Sequence, residues 1–206
     1  MILHCVRHGQ TQANADGRIQ GQADTPLSEL GRRQCEAVAR VLCPLPIEAI
    51  YSSPLARAVS SAQCLAKQLD LELRLDERLM EINAGIFQGL AWPEIESAHP
   101  TEARRWKSHE PEYRIPGGES RADVMRRAAA VFHDIRGSGY EQVIVVAHGG
   151  LLSAALKALL EIPPRRSPFA LENASITSLA WDDDIKLLSL NQTSHLAELH
   201  TEGTEL

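Results

Sequence analysis

Two histidines stand directly before glycines, and each pair follows a run of residues that predicts a buried strand. One pair is His8-Gly9, preceded by Arg7, and the other is His148-Gly149. In an open α/β sheet, ligands bind beyond the carboxyl ends of the strands, where both pairs would lie. Arginine offers a fork of donors that suits phosphate, and a neutral imidazole can attack phosphorus. Either pair alone is weak evidence, but two of them at neighbouring strand ends predict one anion-binding pocket.

Strands and helices alternate along the chain, which predicts a three-layer α/β/α sandwich with a mainly parallel central sheet. The run at residues 143–147 is continuously apolar and β-branched, as is typical of a strand covered on both faces. Three aspartates between two further runs indicate a hairpin near the end of the chain. The predicted strands are residues 2–6, 47–51, 143–147, 175–181 and 185–190.

Three helices are predicted between these strands. Ser53 followed by Pro54 is typical of an N-cap and a first helical position, and the apolar periodicity behind them extends to about Leu69. Residues 119–135 place their apolar side chains on one face, with two arginines outside it. Residues 151–160 are apolar on almost every side, which predicts a well-buried helix.

Residues 92–113 break this pattern with three prolines, three tryptophan or tyrosine residues and many charges. Such a segment predicts a cap over one end of the sheet, and we place it at about residues 84–118. The whole chain, residues 1–206, would then form a single domain with this inserted cap. Three cations of the cap, Arg104, Arg105 and Lys107, could contact a second anionic group of a ligand or simply face solvent.

Composition excludes several classes of protein. Among 206 residues, 44% are hydrophobic, which supplies one core, and a net charge of −6 offers nucleic acid no basic surface. No apolar run approaches the roughly 20 residues of a membrane span, and the start lacks a signal sequence. The four cysteines show no metal or redox spacing and are interpreted as ordinary, mostly buried thiols. We therefore expect a cytoplasmic protein that binds neither nucleic acid nor a membrane.

Five separated motifs, in order along most of the chain, resemble those of the histidine phosphatase superfamily in its phosphoglycerate-mutase-like branch. Within this branch the chain resembles the α-ribazole phosphatase and broad-specificity phosphatase type. The motifs are Arg7-His8-Gly9-x-Thr11-x-x-Asn14, Ser52-Ser53-Pro54-Leu55-x-Arg57-Ala58, Glu81 with Gly85-x-Phe87-x-Gly89, Pro116-Gly117-Gly118-Glu119-Ser120, and Val146-x-His148-Gly149.

The resemblance implies a role for each matching residue. The catalytic set is the nucleophile His8, the proton donor Glu81, the phosphate-binding Arg7 and Arg57, and His148, which would donate a further hydrogen bond to the transferring group. The substrate-binding set is Asn14, Thr11, Gln20 and Gly149. The family's activity needs no metal, and we predict neither a metal site nor another cofactor.

Physical chemistry supports these roles independently of the resemblance. A phosphate monoester carries about two negative charges near neutrality, so a pocket with two arginines and two histidines is a suitable counter-charge. Nearby positive charge should hold the pKa of His8 below its usual value of about 6.5, which leaves the ring unprotonated at pH 7. A backbone carbonyl should hold its other nitrogen, so that the free lone pair points at phosphorus.

We predict hydrolysis of a small phosphorylated metabolite through a phosphohistidine on His8. The nearest alternative is a bisphosphoglycerate-dependent phosphoglycerate mutase, which uses the same groups but must shield the phosphohistidine from water. A second alternative is a non-catalytic sensor of a phosphorylated ligand that keeps the pocket and has lost turnover. The identity of the substrate, the roles of the cap residues and the oligomeric state, a homodimer included, are left open.

Overall fold

A six-stranded sheet forms the centre of the part of the chain that this computed structural model describes, residues 1–166 and 168–201. Its strands are β1 (Ile2–Arg7), β2 (Ala49–Ser52), β3 (Leu73–Leu75), β4 (Gln142–Ala147), β5 (Ile176–Trp181) and β6 (Ile185–Gln192). They lie in the order β3-β2-β4-β1-β5-β6, with β1 to β4 parallel and the hairpin β5-β6 antiparallel. The predicted sheet and its terminal hairpin are confirmed.

Helices cover both faces of this sheet. They are α1 (Gln12–Ala15), α2 (Glu29–Leu42), α3 (Ala56–Leu69), α4 (Trp92–Ala98), α5 (Pro100–Lys107), α6 (Arg121–Arg136), α7 (Gly149–Leu159) and α8 (Ala197–Thr201). None of these helices, within the described residues, has the length and apolar composition needed to cross a membrane. Sheet and helices together make the three-layer α/β sandwich that the sequence predicted.

The alternation of side chains along β4 builds a separate core on each face of the sheet. Val143 and Val145 pack with the apolar faces of α6 and α7, whereas Ile144 and Val146 pack with those of α2 and α3. All four of these side chains are completely buried, which explains the unbroken apolar run in the sequence. The four cysteines are free, and two of them, Cys5 and Cys35, are buried.

Several predicted boundaries were wrong by a few residues. Helix α3 begins at Ala56 and not at Pro54, and its N-cap residue is Leu55, which has no side chain able to cap it. Ser53 was predicted as that cap. Its hydroxyl accepts from the amide of Leu55 at 3.3 Å, ahead of the helix, and it also lies 2.8 Å from the Nε2 atom of His148. Helix α6 begins two residues later than predicted, because Ser120 caps it by accepting from the amide of Asp123. Helix α2 and strand β3 were not predicted.

The segment 84–118 has a small apolar cluster of its own, separate from the two cores of the sheet. The segment consists of a short 3-10 helix, Gly85–Phe87, followed by α4 and α5. Its cluster is formed by Ala84, Phe87, Ile95, Ala103 and Ile115. The cations in it are solvent-facing: Arg105 lies over the ring of Tyr113, and Lys107 pairs with Glu96.

Candidate active site

His8 follows β1 directly and is almost completely buried. Its Nδ1 atom lies 2.7 Å from the carbonyl oxygen of Gly9, so Nδ1 carries the hydrogen and Nε2 carries the lone pair. Burial is the main cause that holds the pKa of His8 well below 6.5, and the charges of Arg57 and Arg7 lower it further. The sequence predicted the effect of the arginines, but burial is the larger cause. The ring is therefore a neutral base and nucleophile with a fixed tautomer.

His148 lies beside His8 because their strands are neighbours in the sheet. Arg7, the last residue of β1, pairs in register with Ala147, the last residue of β4. The two imidazole centroids are consequently 5.1 Å apart. Ser53 holds the Nε2 atom of His148, while its buried Nδ1 atom has no hydrogen-bond partner among the described residues. Burial is also the main cause that holds the pKa of His148 well below 6.5, followed by repulsion from His8 whenever both rings are protonated and by the charges of Arg57 and Arg7.

Arg57, in the first turn of α3, places its guanidinium against His8. Its Nε atom lies 3.3 Å from the Nε2 atom of His8. Its other two nitrogens donate to the carbonyl oxygens of Gly21, at 2.7 Å, and Ala23, at 2.8 Å. Burial lowers the pKa of Arg57 from its ordinary value, although nearby carboxylates partly offset this. An anion that binds in the same cavity would stabilise the buried charge of this guanidinium.

Arg7 is held from the opposite side of the site. Its Nη1 atom donates to the carbonyl oxygen of Leu171 at 2.5 Å, and its buried Nε atom has no partner among the described residues. A Cβ atom on Gly149 would lie 3.4 Å from that Nε atom, at about van der Waals contact. The guanidinium of Arg7 therefore lies close to the start of α7.

Glu81 reaches the site from the loop that precedes the 84–118 segment, and its carboxylate caps α7. One oxygen accepts from the amide of Gly150 at 2.9 Å, and the other accepts from the amide of Leu151 at 3.0 Å. A Cβ atom on Gly150 would lie only 2.5 Å from the carboxylate, so the second glycine of the motif makes room for Glu81. The carboxylate is thereby fixed on the rim of the cavity that contains His8.

The predicted residues meet in one cavity of about 190 Å³, which we call the His8 cavity. Six of the nine predicted site residues line it, namely Arg7, His8, Asn14, Gln20, Arg57 and Glu81. His148, Thr11 and Gly149 do not line the His8 cavity, although His148 packs against the ring of His8. Arg18 and Ile82 also line the cavity and were not predicted.

Thr11 does not line the His8 cavity but contacts two residues that do. Its hydroxyl is completely buried and lies 3.0 Å from Asn14 Oδ1 and 2.9 Å from Gln20 Oε1. Asn173 donates to the same Asn14 oxygen at 3.2 Å and to the carbonyl oxygen of His8 at 3.1 Å. The amide oxygens of Asn14 and Gln20 are therefore acceptors within the protein, and both side chains line the His8 cavity, which leaves their NH₂ groups as donors for an anion. Thr11 is thus a positioning residue in this geometry.

Arg127 is a positioning residue that the sequence did not reveal. From the polar face of α6, it donates to the carbonyl oxygens of Arg78, Met80 and Glu81. Both oxygens of Glu119 accept from the same guanidinium at 2.9 Å. This network holds the loop that carries Glu81. Its only sequence signal was the glutamate in the Gly117-Gly118-Glu119-Ser120 motif, since helical periodicity placed Arg127 on the solvent side.

Replacing Arg127 by methionine is expected to lower kcat about tenfold and to destabilise the fold by about 2–3 kcal/mol, because several charge-assisted hydrogen bonds are lost at once. KM should change little, since the guanidinium does not line the His8 cavity. Steady-state kinetics and urea denaturation measure the two effects. The matched control is Arg126→Met, whose parent side chain is 71% exposed. Equal kcat values for both variants would count against this role of Arg127.

The lowered pKa values of His8 and His148 predict a stability that depends on pH. Both rings stay neutral in the folded protein, whereas in the unfolded chain each binds a proton below about pH 6.5. The unfolded state then binds more protons, so the free energy of unfolding decreases as the pH falls below 6.5. A His8→Gln variant lacks one such group. For each pH unit below 6.5, its free energy of unfolding should therefore decrease by up to about 1.4 kcal/mol less than that of the parent.

Urea denaturation of the parent and His8→Gln between pH 7 and pH 5 tests this dependence. His4 contributes equally to both proteins. Burial is the main cause of the low pKa of His148 and persists in the variant, so the difference in slope reports mainly on His8. Parallel loss of stability in the two proteins would mean that His8 titrates normally.

Comparisons with known proteins identify the family of the chain. A family model described as the histidine phosphatase superfamily (branch 1) matches residues 3–193. A glucosyl-3-phosphoglycerate phosphatase of Mycolicibacterium vanbaalenii is 38% identical over 86% of this chain and 83% of its own length. Phosphoserine phosphatase 1 of Hydrogenobacter thermophilus is 33% identical over 98% and 97%. A solved mycobacterial glucosyl-3-phosphoglycerate phosphatase with VO3 superposes with a TM-score of 0.85 at 38% identity, over 93% of this chain and 99% of that one. The chain belongs to the histidine phosphatase superfamily.

Proposed function

We propose that the protein is a phosphomonoesterase that hydrolyses a small phosphorylated metabolite through a phosphohistidine on His8. The observation that carries this proposal is the fixed tautomer of His8, whose lone pair on Nε2 lies beside Arg57 in the His8 cavity. A neutral imidazole that carries its lone pair on Nε2, next to two guanidinium groups, is what attack on a phosphate dianion requires. The 3.3 Å hydrogen bond that Arg57 Nε donates to this lone pair breaks as the bond to phosphorus forms. We also propose that no metal is needed, because Arg7 and Arg57 supply positive charge to the transferring oxygens.

In the first step, Nε2 of His8 forms a bond to phosphorus while the bond from phosphorus to the leaving oxygen breaks. The guanidinium groups of Arg7 and Arg57 stabilise the equatorial oxygens, and Asn14 and Gln20 donate through their NH₂ groups. Glu81 gives its proton to the leaving oxygen, so the alcohol departs neutral. His148 would donate a hydrogen bond to the transferring group.

In the second step, Glu81 takes a proton from water as the water oxygen bonds to phosphorus. The bond between phosphorus and Nε2 of His8 breaks, inorganic phosphate is released, and both residues return to their starting state. The amides at the start of α7 donate to the side chain of Glu81 and keep it in place for both steps.

The 84–118 segment is proposed as the cap that contacts the alcohol portion of the substrate. It follows Glu81 and Ile82 directly in the chain, and Trp92 and Trp106 pack against its cluster together with Ile82. The named relatives act on glucosyl-3-phosphoglycerate and on phosphoserine, and we propose a small metabolite of this kind as the substrate. Because these relatives are named as phosphatases, hydrolysis is favoured over the phosphoryl transfer of a mutase. The cytoplasmic location and the oligomeric state stay predictions.

Phosphate release from a panel of small phosphate monoesters, in buffer containing EDTA, tests the proposal. We expect turnover that orthovanadate inhibits. The same experiment includes 3-phosphoglycerate with and without bisphosphoglycerate. Fast isomerisation without phosphate release would identify a mutase instead. Absence of turnover, with His8→Ala binding phosphate as tightly as the parent, would identify a sensor.

A further inference from the structure

A second cavity, of about 260 Å³, adjoins the His8 cavity. Ile82 lines both cavities, and Gly150, whose amide donates to Glu81, lines the second. Because Glu81 is the proposed proton donor to the leaving oxygen, the alcohol portion of a substrate would extend past Glu81 towards this second space. Its other walls include Trp106, Arg121 and Lys157, and we call it the Lys157 cavity.

Two cations line the Lys157 cavity, and neither pairs with a carboxylate among the described residues. Lys157, on α7, is only 5% exposed, and no hydrogen bond or ion pair within the described residues engages its side-chain ammonium. Arg121 is the first residue of α6, and its guanidinium carbon lies 3.4 Å from the ring centroid of Trp106. Its Nη1 atom is buried without a hydrogen-bond partner in the described part of the chain.

Partial burial of these two charges is energetically unfavourable without a counterion. Burial lowers the pKa of Arg121 to about 10. Burial also lowers the pKa of Lys157, and the positive charge of Arg121 lowers it further.

The sequence suggested three cations of the 84–118 segment for a second anion. Two of them, Arg105 and Lys107, pair with acidic residues of their own segment, and Arg104 is exposed to solvent. Outside the His8 cavity, the lysines and arginines of the described residues that are buried, or that have a buried nitrogen without a hydrogen-bond partner, are those of the Lys157 cavity.

We propose that the Lys157 cavity binds a carboxylate carried by the alcohol portion of the substrate, with Arg121 and Lys157 as its ligands. The proposal rests on the proposed phosphatase function, because Glu81, as the proton donor, defines the side of the His8 cavity on which the alcohol portion lies. A planar guanidinium fork held against Trp106 is suited to a planar carboxylate, and the ammonium of Lys157 adds a second charge-assisted contact. The protein would thereby select phosphorylated hydroxy acids over phosphorylated neutral alcohols.

Binding to a His8→Ala background tests this site without turnover. Isothermal titration calorimetry compares 3-phosphoglycerate with glycerol 3-phosphate, which carries a hydroxymethyl group in place of the carboxylate. We expect 3-phosphoglycerate to bind at least about tenfold more tightly. Adding Lys157→Met or Arg121→Gln should remove most of this preference and leave the affinity for glycerol 3-phosphate unchanged. Adding Arg126→Gln, an exposed change on the same helix, should preserve the preference.

Equal affinities for the two ligands on the His8→Ala background would overturn the proposal, as would a preference that survives both substitutions. Phosphate release by the parent protein is measured separately with both ligands as substrates. If the parent releases no phosphate but the binding preference follows Arg121 and Lys157, the phosphatase proposal fails and the carboxylate site stands.

A stability measurement separates a ligand site from a structural role for Lys157. Methionine keeps the apolar stem and removes a buried charge that has no partner among the described residues, so Lys157→Met should raise Tm by about 2–4 °C. A gain in Tm together with a loss of carboxylate preference supports the site. A lower Tm would show that the ammonium stabilises the fold, and it would count against the proposal.

Discussion

Replacing His8 by alanine is expected to lower kcat for phosphate release by about 10⁴-fold or more, because the atom that bonds to phosphorus is removed. The fold should persist, since alanine at a buried position leaves the carbonyl of Gly9 and the guanidinium of Arg57 in place. Phosphate should still bind, because both arginines remain. Initial rates measure the first effect, and equilibrium binding of inorganic phosphate measures the second.

Rapid quenching with labelled substrate gives a direct readout of the same prediction. The parent should carry a label that is stable in alkali and lost in acid, as expected for a phosphoramidate bond, and peptide mapping should place it on His8. His8→Ala should carry no label. The matched control is His99→Ala, in the 84–118 segment and outside the His8 cavity, which should be labelled like the parent. A label on another side chain would exclude the proposed nucleophile.

The strand ends account for most of what the sequence could predict about the site. A ligand site at the carboxyl ends of strands β1 and β4 follows from a rule about parallel sheets, and His8 and His148 stand directly after those strands. The fixed tautomer of His8 also followed from local chemistry, since the carbonyl that holds Nδ1 belongs to the next residue. Such local relations are visible in a sequence because their partners are close in the chain.

Contacts between distant residues were not predictable in the same way. Ser53 has the local signature of an N-cap, yet its hydroxyl also lies against His148, which follows another strand. Arg127 has the periodicity of a solvent-facing residue, yet it holds carbonyl groups of the loop before the 84–118 segment. Periodicity separates the apolar face of a helix from its polar face, but it does not show which loop will cover the polar face.

Lys157 is a charged residue within an otherwise apolar helical run of the sequence. It was part of a helix described as apolar on almost every side, and a lysine there already indicated a buried charge. Whether such a lysine reaches solvent or a cavity depends on the helix that packs beside it, here α6 with Arg121 at its first position. The sequence could therefore locate the reacting groups, whereas the second cavity required the packing of α6 against α7.

Replacing Glu81 by glutamine is expected to lower kcat by about 10²- to 10⁴-fold with alkyl phosphates, because glutamine keeps the shape of the side chain but transfers no proton. With 4-nitrophenyl phosphate the first step should remain fast, since this leaving group departs without a proton. The second step should still be slow, because no base activates water. Stopped-flow traces should then show a burst of nitrophenolate followed by slow turnover, with phosphorylated His8 accumulating.

The matched control is Glu77→Gln, an exposed change in the short 3-10 helix before Glu81, which should leave all of these rates unchanged. Glutamine at position 81 loses at least one acceptor for the amides of Gly150 and Leu151, so thermal denaturation must show that the variant is folded at the assay temperature. Equal losses of rate for alkyl and nitrophenyl esters in the first step would show that Glu81 is not the proton donor. A burst confined to the nitrophenyl ester would assign both proton transfers to this carboxylate, because leaving-group protonation and water activation would then fail separately in one variant.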